Sequence, residues 1–313
     1  MALKFIQIET TSSCNQSCYF CPVSQARRPK SSMSMAMFTQ IVEQLADYSI
    51  DSVFLNGFNE PTYDKQLIEK TTLLHQAELK IHLNTNGSGL NPALSDHLLN
   101  VPIQSICVNL STLDPKRYQE TRGNQDITRI IPYLEYVLTH NQHTQVELLI
   151  LGHLDRQHSL DIQAISQHFL TANRCVITIC PITDFAQDAT HILPKRLYHQ
   201  QLRGCRGERQ NQWLHFTPDG TAILCCQDYF SHYKIGNIQT ASLAEIYQSK
   251  EINQLRRWMS GEEIAPDDFL CRTCVFAITE KDYLADFFCQ SCVLPIELGI
   301  ELACQRCVVN AYL

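Results

Sequence analysis

The chain has 313 residues, 44% of them hydrophobic, and a formal net charge of −7. This length and composition fit a globular protein with one large and one smaller domain, and the charge argues against a dominant nucleic-acid groove. No apolar run reaches membrane length, and the opening residues predict a strand rather than a leader, so we expect a cytoplasmic protein that does not bind membranes.

Up to about residue 180, short apolar segments alternate with longer amphipathic ones, as in repeated βα units. Strands are predicted at Phe5–Glu9, Ser52–Leu55, Lys80–Leu83, Ser105–Leu110, Gln145–Ile150 and Val176–Ile179. Helices are predicted at Met35–Tyr48, Asp64–Gln76, Pro92–Leu99, Ile127–His140 and Leu160–Leu170, with Pro92 and Ser159 at helix starts. This α/β order predicts a parallel sheet of six βα-type steps, which suits an open, partial (β/α)6 barrel with active-site loops after its strands.

Three cysteines follow the first predicted strand in the pattern CxxxCxxC, with a proline next. They are Cys14, Cys18 and Cys21. Three thiolates at this spacing can hold three irons of a [4Fe-4S] cluster and leave the fourth open to a chelating ligand. A zinc knuckle or core thiols are the alternatives, but zinc sites usually pair two such units, and no fourth ligand lies nearby. The fifteen cysteines in the chain favour metal ligation over disulfides.

This cysteine pattern resembles the signature of the radical SAM enzymes. The resemblance implies that the cluster binds S-adenosylmethionine, donates one electron and releases a 5′-deoxyadenosyl radical. It also implies the partial (β/α)6 barrel of that family and an electron donor such as flavodoxin or ferredoxin. Nearby, Arg27, Arg28 and Lys30 form a basic patch, which we interpret as a solvated loop beside the cluster.

Two strand ends resemble turns that hold the cofactor in this family. Residues 56–61 (NGFNEP) resemble its Gly-x-Gly-Glu-Pro turn, which implies that Gly57, Asn59 and Glu60 bind the methionyl ammonium. Asn59 replaces a glycine, so either the backbone approach to the cofactor is altered or the turn needs a left-handed asparagine, which would be tolerated. Asn86, in the segment 84–88 (NTNGS), resembles a further cofactor residue, with a simple βα turn as an equal alternative.

The fourth strand runs into residues 108–115 (VNLSTLDP), which resemble the family's Ile-Ser-Leu-Asp segment and the Asp-Pro after it. Asn109 takes the serine position and could hydrogen-bond a ribose or carboxylate, whereas Ser111 takes the aspartate position and cannot transfer a proton as an acid would. Arg122, in the Tyr-x-x-x-Arg-Gly helix, could pair with the cofactor carboxylate, with a surface salt bridge as the alternative. Cys180 ends the sixth strand; we expect it in the core, and it could donate a hydrogen atom if the enzyme were an epimerase.

The βα pattern stops after Pro181, and we place a domain boundary near residue 195. This predicts a radical SAM partial barrel over 1–195 and a cysteine-rich domain over 196–313. The order of a cysteine, a hairpin turn at 218–220 (PDG), a second cysteine and a CxxC unit resembles the SPASM or twitch extension. The resemblance implies an auxiliary [4Fe-4S] cluster, with zinc as the alternative for the same thiols. Its implied ligands are Cys205, Cys225 or Cys226 with Cys225 preferred, Cys271 and Cys274.

Two more CxxC units, Cys289 with Cys292 and Cys304 with Cys307, can close a four-thiolate site of their own. That site could be a second auxiliary cluster or a zinc ribbon. The partition of ligands among these eight cysteines stays open.

The family resemblance implies an enzyme that modifies a ribosomally made peptide by crosslinking, thioether formation, epimerisation or oxidation. An alternative is a radical SAM dehydrogenase or epimerase of a small metabolite or antibiotic precursor. An alternative of another class is a non-catalytic iron–sulfur electron-transfer protein, for which S-adenosylmethionine would not perturb the first cluster.

Overall fold

A computed structural model describes residues 3–101, 103–123, 125–170, 174–186, 188–189, 197–279, 289, 292–298 and 307. The strands are β1 Phe5–Ile8, β2 Ser52–Leu55, β3 Ile81–Thr85, β4 Ser105–Asn109, β5 Gln145–Gly152, β6 Cys175–Pro181, β7 Gly204–Cys205, β8 Trp213–Phe216, β9 Thr221–Ile223, β10 Lys234–Asn237 and β11 Ala277–Ile278. The helices are α1 Met35–Leu45, α2 Leu67–Gln76, α3 Pro92–Asn100, α4 Pro115–Thr121, α5 Ile127–His140, α6 Arg156–Phe169, α7 Arg209–Gln212, α8 Leu243–Tyr247, α9 Lys250–Ser260 and α10 Leu294–Leu298. Among the described helices, none is long and apolar enough to cross a membrane.

The predicted strands and helices of the first 180 residues are all present, with shifts at their ends. The prediction that Ser159 starts a helix is wrong, because α6 begins at Arg156. There the Asp155 side chain accepts a hydrogen bond from the amide of His158 at 2.9 Å and caps the helix. Helix α4 is the helix expected from the Tyr-x-x-x-Arg-Gly pattern, and it is capped in the same way by Asp114.

The first of two compact units comprises Met1–Cys14, Phe20–Ile81 and Thr183–Tyr283. Its main sheet has the strand order β10-β9-β8-β1-β2, with β1 parallel to both β2 and β8. Strands β8 and β9 form the antiparallel hairpin predicted at 218–220, and Gly220 adopts the positive φ of +80° that this turn needs. A separate antiparallel pair, β7 with β11, places Cys205 opposite Ala277.

The second unit comprises Asn15–Tyr19, His82–Ile182 and Leu284–Leu313. Its strands β3, β4, β5 and β6 are adjacent in that order and pair in parallel. The central strands are built from fully buried aliphatic residues, as in sheets covered on both faces. Examples are Ile106, Val108, Leu148 and Ile150.

Residue 195 lies outside the described residues, so the domain boundary near it stays a prediction.

Candidate cluster and cofactor sites

Two cysteines of the CxxxCxxC pattern, Cys14 and Cys21, belong to the first unit and are partly exposed. The Cys14 carbonyl accepts a hydrogen bond from Arg27 Nη1 at 3.0 Å. The Cys21 carbonyl accepts from the amide and the hydroxyl of Ser24, at 3.0 and 2.8 Å. A short 3-10 turn, Pro22–Ser24, follows, and proline suits its first position. These main-chain bonds hold the backbone at both thiols.

The middle cysteine, Cys18, is buried and belongs to the second unit. Its Sγ donates to Gln16 Oε1 at 3.3 Å. The Nη1 of Arg122 donates to the same sulfur, with 3.6 Å between nitrogen and sulfur. Cys18 therefore lies in a polar, buried environment rather than among apolar core residues.

The backbone around Cys18 is held by the end of α4. The amide of Ser17 donates to the Arg122 carbonyl at 3.3 Å, and the amide of Tyr19 donates to the Thr121 carbonyl at 3.1 Å. Gly123 follows with φ at +70°, and a Cβ there would lie 2.8 Å from the Cβ of Ser17. Only glycine fits this close approach.

The Glu60 turn lies in the first unit. Glu60 is 1% exposed, and its Oε1 accepts from the amide and hydroxyl of Thr62 at 3.1 and 2.6 Å. The Glu60 amide donates to the Ser13 carbonyl at 2.9 Å, which links the turn to the segment before Cys14. Asn59 is not among the residues with positive φ, so the expectation of a left-handed asparagine is wrong.

The Asn59 side chain indicates what this turn could bind. Its Oδ1 and Nδ2 atoms are both buried, and neither has a hydrogen-bond partner among the described residues. Buried amide groups in proteins are normally paired. A polar ligand with both donors and acceptors, such as an amino acid moiety, would satisfy this amide, so the turn fits S-adenosylmethionine.

Two residues that the sequence analysis did not assign shape the same turn. Glu9 is buried, and its Oε1 accepts from the amide of Phe58 at 2.8 Å and from Arg28 Nη2 at 2.5 Å. A Cβ on Gly57 would lie 2.9 Å from the Glu9 side chain, which would have to shift to make room for it. The Arg28 guanidinium also lies 4.7 Å from the Tyr229 ring centre. The interpretation of Arg28 as solvated is therefore wrong. The sequence did contain a signal for this ion pair, because Glu9 is an acidic residue at the end of an apolar predicted strand.

In the second unit, Asn86 is buried in the turn after β3. Its Nδ2 donates to Asn15 Oδ1 at 2.9 Å, and its Oδ1 accepts from the amide of Ser88 at 2.9 Å. Asn15 in turn donates to Ser88 Oγ at 3.0 Å. The turn thus supports the residue that follows Cys14, which is a structural role.

Three further predicted residues meet after β4. Arg122 Nη2 donates to Asn109 Oδ1 at 2.9 Å and to Ser111 Oγ at 2.6 Å. Ser111 has a positive φ of +61°, which turns the chain there. Arg122 is 1% exposed, so the alternative of a surface salt bridge is wrong.

Four cysteines expected at the auxiliary cluster are buried in the first unit: Cys205, Cys225, Cys271 and Cys274. Burial raises the pKa of Cys271 well above its usual value, and the nearby Cys225 and Cys274 raise it further. Burial likewise raises the pKa of Cys225, with contributions from Cys226, Cys274 and Cys205. A thiol that coordinates a metal is deprotonated and releases its proton to solvent, so iron would supply the positive charge that such buried thiolates require. This donor set therefore fits a cluster.

Cys226 differs from its neighbour, because it is partly exposed whereas Cys225 is 6% exposed. In the part of the chain that the structure describes, no three histidine, cysteine, aspartate or glutamate side chains are grouped so that they could hold a metal ion, so the fit of the four thiols to a cluster rests on their chemistry and burial and not on their spacing.

The last CxxC units are described only in part. Cys289 is exposed and Cys292 is partly exposed, and the Cys292 amide donates to the Cys289 carbonyl at 3.3 Å. Cys304 lies outside the described residues. Cys307 pairs with Ile179 in an isolated parallel bridge.

Cys180 lies at the end of β6, within the second unit. Its sulfur donates to the Pro181 carbonyl at 3.5 Å. Burial, together with Cys307 and Glu147, raises the pKa of Cys180 to about 12. The thiol therefore keeps its proton at neutral pH, as a hydrogen-atom donor must.

Comparison with known proteins covers most of the chain. A model of the radical SAM superfamily matches residues 8–160, and a model of SPASM, an iron-sulfur cluster-binding domain, matches residues 205–275. A probable GTP 3′,8-cyclase of Pyrococcus abyssi is 26% identical over 130 residues, which are 42% of this chain and 42% of that protein. The matched part of the chain thus spans about two fifths of that relative's length. A PqqA peptide cyclase of Rhizobium meliloti is 22% identical over 306 residues, which cover 85% of this chain and 78% of that protein.

A solved structure shares the fold. The crystal structure of Streptococcus suis SuiB bound to precursor peptide SuiA superposes with a TM-score of 0.68 at 14% identity, over 87% of this chain and 70% of that chain. The resemblance inferred from the cysteine pattern and the hairpin is confirmed, and the two domains imply [4Fe-4S] clusters and S-adenosylmethionine. The chain belongs to the radical SAM superfamily and carries a C-terminal SPASM domain.

Proposed function

We propose that this protein is a radical SAM enzyme that modifies a ribosomally synthesised peptide. The observation that carries the proposal is the similarity to a PqqA peptide cyclase, because it extends over 85% of the chain rather than over the cluster-binding half alone. The shared fold with SuiB, which was crystallised with a precursor peptide, supports the same substrate class. The modification would be a crosslink, a thioether, an epimerisation or an oxidation.

In this proposal the first cluster is held by Cys14, Cys18 and Cys21. Bound together, the cluster and S-adenosylmethionine supply a 5′-deoxyadenosyl radical that removes a substrate hydrogen. An electron donor such as flavodoxin or ferredoxin would reduce the cluster. The buried polar contacts of Cys18 would keep this thiolate oriented toward iron.

Most of the residues proposed to bind the cofactor lie in the turns after the predicted strands. The buried amide of Asn59 and the carboxylate of Glu60 would hold the methionyl ammonium, because a carboxylate and an ammonium form a charge-assisted hydrogen bond. Gly57 would shape the turn that carries Asn59 and Glu60, and Asn86 would shape the turn after β3. Asn109, Ser111 and Arg122 would bind the ribose or the carboxylate.

The auxiliary cluster would be held by Cys205, Cys225, Cys271 and Cys274. We favour Cys225 over Cys226 because Cys225 is the more deeply buried of the two. The four thiols after residue 288 would hold a second cluster or a zinc ion.

A second candidate is a dehydrogenase or epimerase of a small metabolite or antibiotic precursor. The similarity to a GTP 3′,8-cyclase favours it, although this covers only 42% of the chain. Cys180 would be the hydrogen donor of an epimerase in either candidate, because its thiol stays protonated.

The test is anaerobic turnover. The reconstituted protein is incubated with reductant, S-adenosylmethionine and a precursor-sized peptide encoded beside the gene. We expect 5′-deoxyadenosine from the wild type and none from the variant with Cys14, Cys18 and Cys21 changed to Ala, together with a mass change in the peptide.

A Cys180→Ala variant separates the modifications. It should still form 5′-deoxyadenosine but should lose epimerised product, whereas crosslinking or oxidation should persist. 5′-Deoxyadenosine without any change in the peptide would favour the small-metabolite candidate, and an intact cluster that S-adenosylmethionine does not perturb would support a non-catalytic electron-transfer protein.

A further inference from the structure

Arg122 is a buried cation whose two terminal nitrogens contact different groups. Its Nη2 donates to Asn109 and Ser111, whereas its Nη1 donates to the sulfur of Cys18 at 3.6 Å. Only 1% of Arg122 is exposed, so water screens little of its charge.

Other side chains hold this contact in place. The guanidinium carbon of Arg122 lies 5.4 Å from the centre of the Tyr118 ring. The Tyr118 hydroxyl accepts from Gln16 Nε2 at 2.9 Å, and Gln16 Oε1 accepts from Cys18 at 3.3 Å. The main-chain bond from Ser17 to Arg122 fixes the backbone next to the sulfur. The cation and the thiol are thus held together by packing as well as by their own contact.

We propose that Arg122 is a positioning residue that acts on the first cluster through Cys18 and raises its reduction potential. The inference rests on the proposed role of Cys18 as an iron ligand. An iron-bound Cys18 has no proton to donate to Gln16, whereas the bond from Arg122 to the sulfur becomes charge-assisted. Reduction adds one negative charge to the cluster, and a fixed cation at a ligand stabilises this reduced form more than the oxidised one.

The test is a redox titration of the holoprotein without S-adenosylmethionine or substrate, followed by electron paramagnetic resonance. The variants are Arg122→Met, which removes the charge, and Arg122→Lys, which keeps it. The matched control is Arg117→Met on the same helix, because Arg117 is paired with Asp161 at 2.7 Å instead. The same variants with Cys14, Cys18 and Cys21 changed to Ala hold only auxiliary clusters, and subtracting their spectra isolates the first cluster.

At the wild-type midpoint potential, the ratio of reduced to oxidised first cluster should fall about tenfold in Arg122→Met, which is a shift of about 59 mV for one electron. Arg122→Lys should lower the potential of the first cluster by a smaller amount. The potential of the first cluster in Arg117→Met, and the potentials of the auxiliary clusters in all variants, should equal those of the wild type. An unshifted potential in Arg122→Met, or an equal shift in Arg117→Met, would overturn the proposal.

Loss of the cluster is also informative. If Arg122→Met assembles no first cluster but Arg122→Lys does, the titration of Arg122→Lys decides: a potential below that of the wild type supports the proposal, and an unchanged potential overturns it. If neither assembles it while Arg117→Met does, Arg122 is a folding residue and the proposal fails. Because the titration needs no turnover, a shifted potential in a protein that leaves the peptide unmodified would contradict only the proposed function.

Discussion

Asp188, in the first unit, is a residue whose charge depends on its burial. Its pKa is raised from 3.8 to about 6, chiefly by burial and in part by the neighbouring Asp228. The amide of Tyr229 opposes this shift by donating to Asp188 Oδ2 at 2.8 Å. A carboxyl whose pKa is raised by folding stabilises the protein below about pH 4, and this contribution is lost as the pH rises through about 6.

We therefore predict that Asp188→Asn becomes more stable than the wild type as the pH rises. The amide keeps an acceptor for Tyr229 and carries no charge, so the gain at pH 8 relative to pH 5.5 should be at most about 1 kcal/mol. Thermal unfolding of the reconstituted proteins measures it. The control is Asp47→Asn at an exposed site, whose stability should change with pH as that of the wild type does. A gain in stability in Asp188→Asn that does not depend on pH would contradict the prediction.

At the level of elements, the end of helix α4 supports the cysteine loop. We predict that Gly123→Ala impairs binding of the first cluster, because the new Cβ would strain a positive φ of +70° and press on Ser17. The backbone strain should cost about 1–3 kcal/mol. Iron content and the change in the cluster spectrum on adding S-adenosylmethionine measure the effect.

The control for Gly123→Ala is Gly261→Ala. Gly261 has a φ of +77° at the end of α9, far in sequence from the three N-terminal cysteines. The Gly261→Ala substitution should lower the stability of the protein while leaving the first cluster intact. Equal cluster loss in both variants would show a general folding defect rather than a specific role of α4.

For the whole molecule, the proposed SPASM ligands would tie distant parts of the chain together. Cys205 lies on β7, Cys225 follows β9, and Cys271 lies in the 3-10 turn Leu270–Arg272. The free energy of metal binding then becomes free energy of folding.

We predict that Cys225→Ser loses about four irons per chain and has a lower melting temperature. Cys226→Ser should have the iron content and the melting temperature of the wild type. Iron analysis and thermal unfolding measure these outcomes. Amide exchange should become faster at Gly204–Cys205 and Ala277–Ile278 in Cys225→Ser, because β7 and β11 pair beside these ligands. The reverse pattern would make Cys226 the ligand.

The sequence by itself determined the local structure and, through the cysteine pattern and the hairpin, the family. The strand Ser52–Leu55 and the helix Ile127–His140 have their predicted bounds. The hairpin turn at 218–220 also formed as predicted. Apolar periodicity, turn residues and metal-ligand spacing are properties of neighbouring residues, so they are visible in the sequence.

Only the tertiary structure decided which distant residues meet. Strand β8 pairs with β1, where His215 contacts Gln7 across 208 positions, and Arg122 reaches Cys18 across 104 positions. The burial of Arg28 against Glu9 likewise reversed a local interpretation of a basic loop. Such contacts depend on the packing free energy of the whole chain, which a local pattern does not contain.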